Sequence, residues 1–329
     1  MLAHPFIIAL LLSQFAVATI IVYAAWKGIY ALRYWSDSSF TSLQLTLERE
    51  HYLLGAIVQT AMVAQLAGLG LFVWLINNYL PHLVRGAMCG AGVLSANQYG
   101  YLLLYVKMAT PPLYVLYLLL QYLDNQAPDY PLTPFKYYLL LPTAAAVAVE
   151  TWLMWMYSYR LEPDVIVTCC SANFLVSQPS YANFLSVGKL LQPALWTWGL
   201  IGALLIAADW QKPFLPTWVH SLLILVFVGL SIYTLKYFFV KYIYGVPSHL
   251  CLFDLFLAHH HYIGYLIFAL YYILIISTML IVITPFVIKK TRLTNAAHLQ
   301  TWANIRLVAL LLSMLIPLAY RTTWWHGIL

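Results

Sequence analysis

Long apolar runs separated by short polar interruptions dominate the chain from end to end. The runs are continuous rather than alternating at every second residue, which excludes a transmembrane barrel and selects helices. Each is close to the 20 residues that cross about 30 Å of hydrocarbon. Eight spans are predicted, near 5–26, 52–76, 99–123, 137–159, 184–208, 217–240, 262–287 and 304–321. The fold class is therefore all-α, a polytopic transmembrane helical bundle. The chain reads as a single integral membrane domain over 1–329, with no connection long enough for a soluble domain. Pro111-Pro112 falls inside the third span and predicts a kink or break there, because proline removes backbone donors. Arg33 to His51 is polar with scattered Leu and Phe, and predicts an interfacial helix between spans one and two. The start of the chain, Met1 to Trp26, lacks a basic leading segment and reads as a retained first span.

Composition agrees with this class. Only 8% of the 329 residues are charged and 63% are hydrophobic, against about 25% charged in soluble domains. Mean hydropathy is +0.82. Twelve Trp and 26 Tyr fit aromatic belts at two bilayer interfaces. The net charge of +6 comes without a basic cluster in polar surroundings, so nucleic acid is not an expected partner. The lipid bilayer is, together with a membrane or extracytoplasmic protein.

Charge also sets an orientation. Connections one, three, five and seven carry nine Lys/Arg, including Lys136, Arg306 and the Lys289-Lys290-Thr291-Arg292 cluster, against five on the opposite side. The positive-inside rule then puts the first group in the cytoplasm and both termini outside. A bacterial cytoplasmic (inner) membrane is the expected location.

Candidate chemistry gathers on the outer side. Cys89, the Cys169-Cys170 pair and Cys251 all fall in connections assigned to that face. Outside the cytoplasm, cysteines persist as disulfides or in redox and metal sites. Two inter-loop disulfides, buried thiols acting as small apolar residues, thiol–disulfide exchange and soft-metal capture all remain open. Met88, His249 and His259 join the thiols as candidate metal ligands, a set suited to Cu(I) or zinc. If Cys251 opens a short helix, Leu255 and His259 follow on its face, with Asp254 beside them. No C-x-x-C is present, and Walker, G-x-S-x-G and H-E-x-x-H patterns are absent. Haem stays a further expectation without a diagnostic spacing: a bis-His site needs imidazoles from two facing helices, and no C-x-x-C-H occurs.

Within the apolar runs, Lys107 and Glu150 stand out. Counted from the outer boundary they lie about 12 Å and about 14 Å deep at 1.5 Å per residue. Adjacent antiparallel spans bring such groups level, and an intramembrane charge is costly unless paired. Three functional classes follow from these features. They are an outward-facing thiol or soft-metal protein, a non-catalytic integral subunit of a larger respiratory or transport assembly, and a transporter using the Lys107/Glu150 pair.

Overall fold

The computed structural model describes residues 4–35, 41–126, 130–162, 164, 167, 180–210, 216–244, 250–291 and 297–325. Among these residues there is no strand, and eight helices are long and apolar enough to cross a membrane. The protein is an integral membrane helical bundle.

The first helix, α1 (Pro5–Tyr34), starts on a proline, whose missing N–H is an orphan at that position anyway. Next comes α2 (Ser42–Trp74), capped by Thr41 Oγ1, which accepts from Gln44 N at 3.3 Å. The helical path runs on to His82 through a π-turn at Leu75–Tyr79 and a 3₁₀ turn at Leu80–His82. The expected interfacial helix at Arg33–His51 is not a separate element. Its first part completes α1 and its last part is the opening of α2, because nothing in Ser42–His51 stops a helix.

A short α3 (Gly90–Ser95) leads to the third span, which is broken as its prolines require. There α4 (Tyr99–Ala109) ends at Thr110 and α5 (Pro111–Asp124) restarts on Pro111. The fourth span is α6 (Thr133–Tyr159), and the fifth lies within α7 (Ser180–Trp210). The rest of the chain holds α8 (Thr217–Thr234), a π-turn at Leu235–Phe239, α9 (Val240–Tyr244), two 3₁₀ turns at Leu252–Phe256 and Ala258–His260, α10 (Ile263–Thr291) and α11 (Ala297–Trp325).

These elements form two compact units. The first contains Met1–Arg85, Val93–Val167 and Phe286–Thr294; the second contains Gly86–Gly92, Thr168–Pro285 and Asn295–Leu329. Unit 1 packs α1, α2, α5 and α6 around Ile21, Val58, Met62, Tyr114, Tyr117, Leu140 and Val147. Its helices approach closely where a side chain is missing. A Cβ on Gly55 would meet Gln121 Nε2 at 2.5 Å, and one on Gly28 would enter the Tyr137 ring. Unit 2 packs around Trp198, Phe227, Phe239, Tyr271, Leu274 and Leu310. There Trp198 Nε1 donates to Ser231 Oγ at 2.8 Å, which satisfies the one polar atom of a buried indole.

Two lysine or arginine residues counted as loop cations are nothing of the kind. Lys136 sits in the first turn of α6 and is 1% exposed, and Arg306 is buried in α11 against Asp209. Both came from the larger side of the orientation count, so that vote narrows. A charge that neutralises a buried carboxylate says nothing about membrane sidedness.

Candidate functional site

Cys89 and Cys251, 162 residues apart in sequence, meet in unit 2 with their sulfurs 3.2 Å apart. That is hydrogen-bond contact and well beyond a covalent S–S bond of about 2.05 Å. Cys89 is 1% and Cys251 7% exposed. The carboxylate of Asp254 completes a group of three donors whose ligand atoms all lie within 4.8 Å of one another.

Local sequence explains the placement. Cys251 occupies the N-cap position of the Leu252–Phe256 turn with extended backbone, so Asp254 follows in the first turn. The 3₁₀ geometry returns every third residue to the same side, which sets Asp254 beside Cys251. Leu255 and Phe256 anchor the turn in the interior. Gly264 lets α10 approach them, since a Cβ there would stand 3.0 Å from Phe256 Cγ. On the other flank, the Tyr244 hydroxyl donates to the Cys251 carbonyl at 2.9 Å. Burial, reinforced by Asp254 and the two cysteines, pushes that phenol far above its usual range, so it stays a neutral donor.

The remaining candidates divide. Met88 is beside Cys89 and is 69% exposed. His259 lies on the surface of the Ala258–His260 turn, its ring 4.3 Å from that of His260. The expected α-helical register from Cys251 to His259 does not form, because the chain makes two 3₁₀ turns joined by extended Leu257. Of the three successive histidines, His260 is buried, its ring tilted against that of Tyr244 with centroids 4.6 Å apart. Cys169, Cys170 and His249 lie outside the described residues.

Unit 1 holds two further polar clusters. Lys107 Nζ donates to Glu150 Oε1 at 2.5 Å, Tyr114 donates to Glu150 Oε2 at 3.3 Å, and Gln14 Oε1 accepts from Lys107 at 3.5 Å. Gln14 Nε2 donates in turn to Thr151 Oγ1 at 3.2 Å. The two intramembrane charges singled out in the sequence are therefore a buried ion pair.

The second cluster escapes the sequence reading altogether. Lys136 Nζ lies 2.5 Å from Asp124 Oδ2, 2.7 Å from Gln121 Oε1 and 2.9 Å from His51 Nε2. Asp124 also accepts from Thr133 Oγ1 at 3.0 Å and from Leu132 N at 2.7 Å. His51 Nδ1 is 3.1 Å from the Tyr137 hydroxyl. In unit 2, His220 stands 3.7 Å from Asp209. Polar residues at intervals of seven or fourteen along three helices were the available signal: His51 to Gln65, Tyr117 to Asp124, and Lys136 through Thr143 to Glu150.

No protein-family model, curated protein or solved structure matches the chain. The functional reading therefore rests on the sites themselves.

Proposed function

We propose that this membrane protein handles a thiophilic metal ion, held between the Cys89 and Cys251 thiolates and the Asp254 carboxylate. One observation carries the reading: two buried sulfurs from distant parts of the chain converge within 4.8 Å of a carboxylate. A tetrahedral zinc ion with about 2.3 Å Zn–S bonds needs sulfurs about 3.8 Å apart. From 3.2 Å the pair must open by roughly 0.6 Å to take such an ion and close by roughly 1.1 Å to form a disulfide. Exchange with an incoming disulfide also needs an accessible attacking thiol, and both sulfurs are buried. The hard oxygen of Asp254 favours Zn(II) over Cu(I). Among the described residues the site offers three protein donors, and a tetrahedral ion takes a fourth.

The test is a Zn(II) titration of the purified full-length protein against a chromophoric chelator. The expected result is one ion per chain, with affinity falling a hundredfold or more in Cys89→Ser and Cys251→Ser and about tenfold in Asp254→Asn. Mass spectrometry of native membranes that finds a Cys89–Cys251 disulfide, with no tightly bound metal in the reduced protein, overturns the metal reading. It would favour dithiol–disulfide conversion of the same pair.

The side of the membrane belongs to the same proposal. With Lys136 and Arg306 withdrawn, the extracytoplasmic assignment of the cysteine face leans on the Lys289-Lys290-Thr291-Arg292 cluster. A Met88→Cys variant in a background with the native cysteines replaced by serine checks it. An impermeant maleimide added to intact spheroplasts is expected to label that position, and labelling only after lysis places the face inside.

A further inference from the structure

The buried polar groups of unit 1 form a column. On α5, Tyr114, Tyr117, Gln121 and Asp124 are buried, at intervals of three, four and three residues that keep them on one face. On α6, Thr133, Lys136, Thr143 and Glu150 are buried on a similar repeat. On α2, His51 and Gln65 are buried fourteen residues apart. Contacts fix the register between these helices. Gln14 meets Thr151 and Gly28 meets Tyr137, so α1 and α6 are antiparallel. His51 meets Asp124 and Gly55 meets Gln121, so α2 and α5 are antiparallel, and Asp124 meets Lys136 while Tyr114 meets Glu150, so α5 and α6 are antiparallel as well. Hence α2 runs parallel to α6. With His51 level with Lys136 and Tyr137, Gln65 comes level with Glu150. Its Nε2 is buried and has no hydrogen-bond partner among the described residues.

Two charged clusters thus stand fourteen residues apart along α6, about 21 Å at 1.5 Å per residue. Glu150 lies nine residues before the Tyr159 end of α6, about 14 Å in, so the column runs from there to the opposite boundary of the roughly 30 Å hydrocarbon layer. Pinning helices together needs one pair at one level, and apolar side chains of similar volume do it at least as well. Here the interval between the pairs also carries hydroxyls, those of Tyr114, Tyr117, Thr143 and Tyr137. A hydroxyl both donates and accepts, which a proton relay requires.

We propose that unit 1 conducts protons across the membrane along this column, with Glu150 receiving them about 14 Å inside the Tyr159 end of α6 and Asp124 standing at the opposite end. Glu150 is faced by Lys107 of α4, Tyr114 of α5 and, through Lys107, Gln14 of α1. Asp124 is faced by Lys136 and Thr133 of α6 and by His51 of α2. A proton taken up at Glu150 protonates its carboxylate. It passes on as the Tyr114 oxygen accepts it and releases its own proton to the next acceptor. Tyr114 and Tyr117 are one step of about 4.5 Å apart along α5, a gap that a side-chain swing or one water spans, and the Tyr137 hydroxyl leads on to His51, whose Nδ1 is 3.1 Å from it. At the far end Asp124 or His51 accepts the proton and gives it up to the other face. The net change is one proton in and one out, with every group restored. A metal cation is disfavoured on the same path, because a lysine ammonium already stands against each carboxylate.

The experiment uses full-length protein in potassium-loaded liposomes with a pH-sensitive dye inside and valinomycin to set the potential. Proton influx above protein-free liposomes is expected, cut tenfold or more by Glu150→Gln and by Asp124→Asn, and unchanged when sodium replaces the external cation. Tyr117→Phe keeps the ring and both ion pairs, and is expected to lower the flux severalfold with unaltered Zn(II) binding and gel-filtration behaviour. Should a carboxylate variant fail to fold, the wild-type and Tyr117→Phe measurements decide. Absence of wild-type flux, or flux unaffected by Tyr117→Phe, overturns the proposal.

Discussion

Lys107 and Glu150 are 3% and 1% exposed, so each has given up its hydration and relies on the other. Removing one partner strands an uncompensated charge, which typically costs about 3–5 kcal/mol. Lys107→Met is therefore expected to destabilise the protein by about that amount. The double change Lys107→Met with Glu150→Leu should recover most of the loss, because a matched apolar pair leaves no buried charge. Thermal unfolding of the three variants in detergent measures both effects, and equal losses in single and double variants would show that the pair is not the source. In unit 2, Arg306 forks onto Asp209 through Nε at 3.1 Å and Nη2 at 2.5 Å. Lysine cannot reproduce that fork, and Arg306→Lys is expected to cost more than 1 kcal/mol by the same assay. Legibility at this scale follows position. Lys107 and Glu150 interrupt apolar runs and announce themselves. Lys136, Asp124 and His51 each sit near the end of a run, where a polar residue looks like a surface group, and only their convergence reveals them.

The long helices were the most legible part of the chain, because length and hydropathy are local properties. The break in the third span was equally plain, since Pro111-Pro112 forces it whatever the helix packs against. What sequence cannot show is which helix faces which, and glycines carry much of that. Gly28 and Gly55 lie directly against Tyr137 and Gln121, two residues of the Lys136 cluster. Gly28→Ala is expected to destabilise by about 1–3 kcal/mol through overpacking. Gly68, by contrast, has nothing within 4 Å of an added Cβ among the described residues. Gly68→Ala is expected to stabilise α2 by up to about 1 kcal/mol, the helix-propensity difference. Opposite signs at two glycines of neighbouring helices, read from unfolding midpoints, test the register directly. The failed register from Cys251 to His259 shows the converse limit. An α-helical repeat was assumed where extended Leu257 interrupts two 3₁₀ turns, and nothing in the local composition reveals that switch.

At the scale of the whole molecule, membrane-spanning character follows from composition, while the division into two units does not. Each unit buries its own charges among its own helices, the Lys107 and Lys136 clusters in unit 1 and the Asp209 cluster in unit 2. The proposed roles divide the same way, proton conduction in one and metal handling in the other. One short stretch breaks the correspondence between sequence order and unit. Gly86–Gly92 lies between spans two and three yet belongs to unit 2, and it carries Cys89. Joining Cys89 to Cys251 would turn the chain into a ring with two tails. The loop so closed spans 162 residues, for which the chain-entropy relation gives about 5 kcal/mol. A molecule oxidised at this pair and cut once anywhere inside the ring would still migrate as one piece, and reductant would part it in two.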